Sequence, residues 1–275
     1  MQAMTDNKAS DFALDRATQL APMGEGRYRA TTDPSYWNLD SAFGGWVAAV
    51  MVAAVQSQAA YRGHVLSLNV QFLSPIKGSS VEAGVTLLQQ RRRFDFWRVA
   101  LYAEEADGPP VAVADLVAGE RAVSDLAYTA SAPVFRPVEE CLRLERSAMT
   151  PSWFQHYEQY LAEGRPFDVN ETPRSALYIR EADGRPVDEK GLVALLDTPM
   201  PRTFFIAKQP RFAATLTMST HLYASEAEMA ETGSGLMRLE VTSSGIRNHA
   251  CNQEARLYRE DGLLLGTSYQ TGIFR

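Results

Sequence analysis

The stretch LDSAFGGWVAAVMVAAVQSQAAY, Leu39 to Tyr61, sets two adjacent glycines ahead of a run of small apolar residues. A helix at a protein surface carries one apolar stripe, whereas a helix apolar on all sides has to be enclosed. The run from Trp46 to Val55 falls well short of the ~20 residues that cross a bilayer, so the enclosure is a protein core. At 275 residues, 45% hydrophobic and 22% charged, the chain is long enough for one large globular domain or two of common size.

The segments after the helix can enclose it. LSLNVQFLSPI alternates, with Leu66, Leu68, Val70 and Phe72 on one predicted face. SSVEAGVTLLQQ, FDFWRVALYAEE and PPVAVADLVAG continue as strands, separated by turn chemistry such as Asp107-Gly108-Pro109. One helix and an antiparallel meander result, and a twisted meander offers a concave face to the helix.

The last sixty or so residues repeat the strand pattern. Phe72 pairs with Leu222, Leu101-Tyr102 with Leu257-Tyr258, Asp107-Gly108 with Asp261-Gly262 and Gly119 with Gly272, at separations of 150 to 156 residues. A register that drifts only by loop-sized insertions marks a duplicated unit. The openings FALDRATQLAPMGEGRYRATTD and FQHYEQYLAEGRPFDV both read as strand, glycine turn and return, and VDEKGLVALLDTPM is the second predicted helix. The segment between carries Pro133, Pro137 and Pro151 without strand alternation. The expected organisation is a first unit at 1–125, a linker at 126–151 and a second unit at 152–275, joined edge to edge into one sheet.

Composition removes several functions. A net charge of -6 argues against a nucleic-acid surface or an anionic-membrane surface. Cys141 and Cys251 lack metal-ligand spacing and read as buried thiols in a reducing compartment. The N-terminus is polar and shows no export signal, so a cytoplasmic protein is expected. The glycine pair opens a helix followed by antiparallel strands, which disfavours a dinucleotide or kinase fold.

AFGGWVAAVMVAA, LSLNVQFLSPIKGSSVEAGVTLLQQRRRFDFWRVAL, ATLTMSTHLYAS and EDGLLLGTSYQTGIFR together resemble the acyl-CoA thioesterase II-like family of double hotdog proteins, over nearly the whole chain. The resemblance implies an α+β tandem hotdog: a long antiparallel sheet wrapped around central helices. It also implies hydrolysis of acyl-CoA or related acyl thioesters without metal or organic cofactor, and a homodimer. Its site lies between the halves and includes an Asp, a Ser or Thr and a Gln from the second half.

Carried onto this chain, the Gln falls on Gln270, paired by repeat with Val117; its phase against Leu265, Tyr269 and Ile273 predicts the sheet face away from the helix. The hydroxyl falls on Ser244, with Thr242 as the alternative. The Asp position falls on Thr217, paired with Ser67, and a threonine cannot take a proton from water at neutral pH. His249 is a candidate replacement base, with Asn248 beside it as a ligand contact, while His64 and His156 read as structural. Gly44 and Gly45 leave the first helical N–H groups open to a thioester carbonyl, and the resemblance favours the Gly45 amide as oxyanion donor. Arg91 to Arg93 form a charge run that reads as solvated more readily than as a CoA-phosphate contact.

Two functions are consistent with these residues. The first is water attack on an acyl thioester. The second is a non-catalytic acyl-thioester or hydrophobic-ligand binding protein that has lost the Asp. A hydratase on the same fold ranks lower, because no Asp and His pair lies near either helix.

Overall fold

The structure is a computed structural model that describes residues 11–103, 108–122 and 124–275. Asp107 of the expected Asp107-Gly108 turn lies outside the described residues. The first half runs α1 (Ala13–Ala17), β1 (Leu20–Gly24), β2 (Arg27–Thr31), α2 (Gly44–Gln56), β3 (His64–Phe72), β4 (Ser80–Gln90), β5 (Phe94–Ala103) and β6 (Ala112–Gly119). The second runs β7 (Leu142–Arg143), β8 (Tyr157–Glu163), β9 (Ser175–Glu181), α3 (Glu189–Leu195), β10 (Ala213–Leu222), α4 (Glu226–Thr232), β11 (Met237–Thr242), β12 (Ile246–Arg247), β13 (Ala250–Tyr258) and β14 (Leu264–Phe274).

Among the described residues, fourteen strands form one sheet in the order β1-β2-β4-β5-β6-β3-β10-β14-β13-β11-β9-β8-β7, with β12 paired to β13. Reading outward from the β3–β10 junction gives the same succession on each side. The edge of one unit thereby satisfies the edge of the other, as Thr217↔Gln71 through His221↔Ser67 pair antiparallel. The short β7, inside the segment read as a linker, adds to the second half's edge by pairing Leu142 with Leu161. The return strand of the second opening is Ser175–Glu181, further along than the sequence pattern placed it.

α2 is buried at every position from Gly45 to Val55. Burying each Val or Met of this helix contributes about 1.5–3 kcal/mol, so the helix and the concave sheet stabilise each other. It packs against α3 and the inner faces of β3, β4 and β5. The Trp46 indole N–H donates to the Ala17 carbonyl at 2.8 Å, which ties α1 to the core.

Three bulges decide which side chains face inward. In β3 the register skips Leu66 between Val65↔Ala118 and Ser67↔Val117. In β10 it skips Leu216 between Thr215↔Gly272 and Thr217↔Thr271. Leu66 and Leu216 stand 150 residues apart, the repeat separation itself, so the bulge belongs to the duplicated unit. In β14 the skip falls on Leu265, between Leu257↔Gly266 and Tyr258↔Leu264. A bulge inserts one residue and reverses the face of everything beyond it.

Candidate functional site between the two helices

The Leu265 bulge corrects the predicted face of Gln270. Counted from Leu265, Gln270 points outward; with the extra residue it points inward and is 5% exposed, while Tyr269 faces solvent at 49%. The repeat partner shifts as well. Gln270 lies opposite Met218 as Leu116 lies opposite Leu68, so a carboxamide occupies the place of a core leucine rather than that of Val117.

A buried carboxamide needs partners at both ends. Gln270 Nε2 donates to Asp197 Oδ1 at 2.8 Å, and its Oε1 accepts from Thr215 Oγ1 at 3.1 Å. Asp197 also accepts from the backbone N–H of Gly45. One chain of hydrogen bonds thus runs from the first turn of α2, through the residue just past the end of α3, to β14 and β10.

Each member is placed for a physical reason. α3 is capped at its start by Asp188, whose carboxylate accepts from the Gly191 N–H at 2.8 Å, and it ends before Thr198-Pro199. Ser268 Oγ donates to the Leu196 carbonyl at 3.0 Å and clamps that end onto β14. An acid beside a helix C-terminus meets the unfavourable end of the dipole. Asp197 is compensated by the opposing N-terminus of α2, where a Cβ on Gly44 would stand 2.6 Å from Oδ2. Gly45 is closed to any side chain too, since its Cβ would meet the Phe43 ring and stand 2.8 Å from the Ala194 carbonyl. Phe43 stacks on Trp153 at 4.5 Å, so aromatic residues of the second half cover this helix end.

Burial pushes the Asp197 carboxyl up to about 7, against the opposing pull of the Gln270 and Gly45 hydrogen bonds. The carboxyl is enclosed by protein, although the residue as a whole is not fully buried. A carboxyl that titrates near neutrality beside a fixed carboxamide and hydroxyl is suited to general-base work on a water.

The remaining sequence-derived candidates separate from this group. Thr217 is exposed and shares the outer face with Asn69, Gln71 and Ser219, because the Leu216 bulge turns Thr215 inward and Thr217 out. Thr217 therefore points away from the cluster, whose carboxyl comes from Asp197 past the end of α3 and whose hydroxyl comes from Thr215. Ser244 is exposed in a turn, where its Oγ donates to Glu254 Oε1 at 2.7 Å, while Thr242 pairs with Glu254 on β13. Asn248 and His249 occupy the β12–β13 turn at φ values of 53° and 61°, and His249 Nδ1 lies 3.1 Å from the Phe274 carbonyl. They turn the chain, and no hydrogen bond among the described residues ties them to Asp197. Gly44 and Gly45 are the other candidates brought to the cluster, but the Gly45 amide holds the carboxylate instead of standing open.

Arg91 to Arg93 are exposed in the β4–β5 turn. Cys141 and Cys251 are partly exposed free thiols rather than fully buried ones. His156 stacks on Tyr36 at 4.0 Å, and His64 Nδ1 lies 3.5 Å from Glu189. At the opposite end of α2, Glu189 accepts from Gln56 and from the Val65 N–H, each at 2.8 Å, so the repeat-related place is filled by a satisfied carboxylate. Among the described residues no group of three or more His, Cys, Asp or Glu could hold a metal, and no helix is long and apolar enough to cross a membrane.

Asp197 was the residue that sequence reasoning missed. Its signal was an acid just past the apolar run GLVALL, at the helix end the dipole disfavours, where an uncompensated carboxylate would be costly.

Two meanders wrapped around antiparallel central helices, with a polar cluster at the helix ends between them, define a tandem hotdog protein. The chain belongs to the acyl-CoA thioesterase family: the family's N-terminal domain matches residues 33–119 and its C-terminal domain residues 132–274. A hotdog-fold protein of unknown function from Alicyclobacillus acidocaldarius is 26% identical, with a TM-score of 0.91 over 97% of this chain and 99% of that one. The acyl-CoA thioesterase II of Mycobacterium marinum shares the fold at 14% identity and a TM-score of 0.74, covering 96% of this chain and 98% of that one. The tesB protein of Mycobacterium avium subspecies paratuberculosis does so at 17% identity and 0.75, covering 95% and 98%. No curated protein matches the chain.

Proposed function

We propose that the protein hydrolyses acyl-CoA or related acyl thioesters by water attack, with Asp197 as general base. The observation that carries this reading is the hydrogen-bonded chain Gly45–Asp197–Gln270–Thr215, buried between the halves, with the carboxyl pushed up to about 7. Asp197 takes a proton from a water that Gln270 and Thr215 hold; the oxygen adds to the thioester carbonyl. The carbon–sulfur bond then breaks, and the departing thiolate recovers the proton from Asp197. A carbonyl brought to the α2 N-terminus meets the partial positive charge of that helix end, which favours the developing oxyanion. The Gly45 amide orients the base in the free protein; to serve as oxyanion donor it has to exchange that partner for the substrate.

The reading as a binding protein without turnover rested on the lack of an acid at Thr217. The carboxyl of Asp197 beside Gln270 supports the hydrolytic reading over it. The deciding experiment is release of free thiol from a panel of acyl-CoAs. Turnover that disappears in Asp197→Asn supports the proposal, and saturable binding with no thiol release at any chain length sinks it. The family likeness also supports a homodimer, which sedimentation equilibrium tests directly.

A further inference from the structure

Arg202 is 1% exposed, at the start of a short 3-10 turn (Arg202–Phe205) five residues beyond Asp197. Its guanidinium donates to the Met200 and Pro173 carbonyls, to Gln253 Oε1 at 3.1 Å and to Ser175 Oγ at 2.8 Å, and it lies 4.2 Å over the Phe205 ring. Every one of these acceptors is neutral. Among the described residues no carboxylate forms an ion pair with it, unlike the buried Arg185, which meets Asp15, Glu181 and Asp188. A buried cation without an anion is costly, because neutral acceptors orient it but do not cancel its charge. Burial draws its pKa down to about 9, so it is still a cation at neutral pH.

A second polar group beside it lacks a partner. Gln159 is 3% exposed, and its Nε2 is buried with no hydrogen bond among the described residues. Arg202, Gln159 and Ser175 line one crevice whose walls are Leu161, Leu177 and Pro199. A cation without a counter-ion and a donor without an acceptor, in an otherwise apolar recess, ask for the same thing: an anion with two oxygens.

The crevice adjoins the hydrolytic centre. Gln253, which accepts from Arg202, is the register partner of Gln270 across β13 and β14, about 4.8 Å away as strands are spaced. Gln253 also donates to the carbonyl of Pro199, two residues past Asp197. The free space is about 10 Å³, the size of a single water, so any acyl terminus enters by displacing the apolar wall, and a short chain displaces less of it than a long one.

We propose that this recess receives the far end of the acyl group and selects short acyl chains that terminate in a carboxylate, Arg202 and Gln159 binding its oxygens. The proposal rests on the reading of Asp197 and Gln270 as a thioesterase centre and names that centre's substrate class. The terminal carboxylate supplies the missing charge, and charge-assisted hydrogen bonds to a planar guanidinium are the strong, directional kind.

The test compares kcat/KM for glutaryl-CoA and adipyl-CoA with that for valeryl-CoA and hexanoyl-CoA. The expected result is a preference of about tenfold or more for the carboxylate-terminated member of each pair. That ratio falls to near unity in Arg202→Met and in Gln159→Leu, the second being a near-isosteric change that keeps the fold if loss of the guanidinium does not. Equal or better use of the neutral chains overturns the proposal while leaving the thioesterase reading intact. If neither class is hydrolysed, the thioesterase reading is decided by the wider acyl-CoA panel, and calorimetric binding of the stable thioethers S-carboxybutyl-CoA and S-pentyl-CoA decides the selectivity alone. Tighter binding of the first by about tenfold, lost in Gln159→Leu, upholds it; equal binding ends it.

Discussion

Gln270 on β14 and Asp197 past the end of α3 are joined by a 2.8 Å hydrogen bond, although the chain separates them by 73 residues. The bond fixes the carboxamide's polarity. With Nε2 spent on the carboxylate, Oε1 is left to accept from Thr215, and the hydroxyl and the acid end on either side of one amide. In the proposed mechanism that polarity lets a single glutamine orient the base and frame the water.

Replacing Asp197 by Asn keeps the shape and removes the proton acceptor. The carboxamide of Gln270 can turn over to accept from the new amide, so the fold persists. The expected loss in kcat is about 10²–10⁴-fold with KM little changed, read by thiol release from acyl-CoA. A comparable fall in Gln270→Leu with acyl-CoA binding retained would place Gln270 in the same step; equal loss of binding and turnover would make it a folding residue.

The pH profile carries a sign. Asp197 is raised to about 7, so the basic form grows in through neutrality and kcat/KM should rise about tenfold per pH unit below pH 7 before levelling off above it. Stability runs the other way. The folded state holds this proton more tightly than the unfolded chain, whose aspartate titrates near 4, so stability is full below about pH 4 and is lost as pH rises through about 7. The shift sets an upper bound of about 4 kcal/mol. Asp197→Asn should therefore raise the Tm more at pH 8 than at pH 5, and a uniform change at both would contradict the assignment.

Gly44→Ala brings a methyl to within 2.6 Å of Asp197 Oδ2 and displaces the base from the α2 N-terminus. Activity should drop at least tenfold in a protein whose circular dichroism is unchanged. Gly45→Ala differs in kind, since its methyl collides with the Phe43 ring and the Ala194 backbone. Reduced soluble yield and Tm are expected there.

Thr217→Asp tests the strand phase. A carboxylate on the exposed outer face is too far round the sheet to reach the cluster, so hydrolysis should stay within about twofold of the parent. A large gain would return the base to β10 and undo the placement of the Leu216 bulge.

The fold was legible because its signals are local or periodic. An enclosed helix shows in residues 44–56 as a run with no polar stripe, and the duplication shows in separations near 150 residues. The site was legible only in part. Gln270 and the glycine pair could be singled out by contrast with their surroundings. Thr217 and Ser244 come from the family resemblance and His249 from its place on a neighbouring predicted strand, and a bulge at Leu216 or Leu265 leaves no composition of its own that would correct such placements.

The amino-acid order alone determined that α2 is sheathed, that two meanders sheathe it, and that Gly44 and Gly45 leave its first turn bare. Which acid faces that bare turn was decided only in three dimensions. Antiparallel packing brings the end of α3 to the start of α2, and two inserted strand residues rotate Thr215 and Gln270 inward. Long-range packing and bulge register are properties of paired elements, and neither partner's sequence carries them by itself.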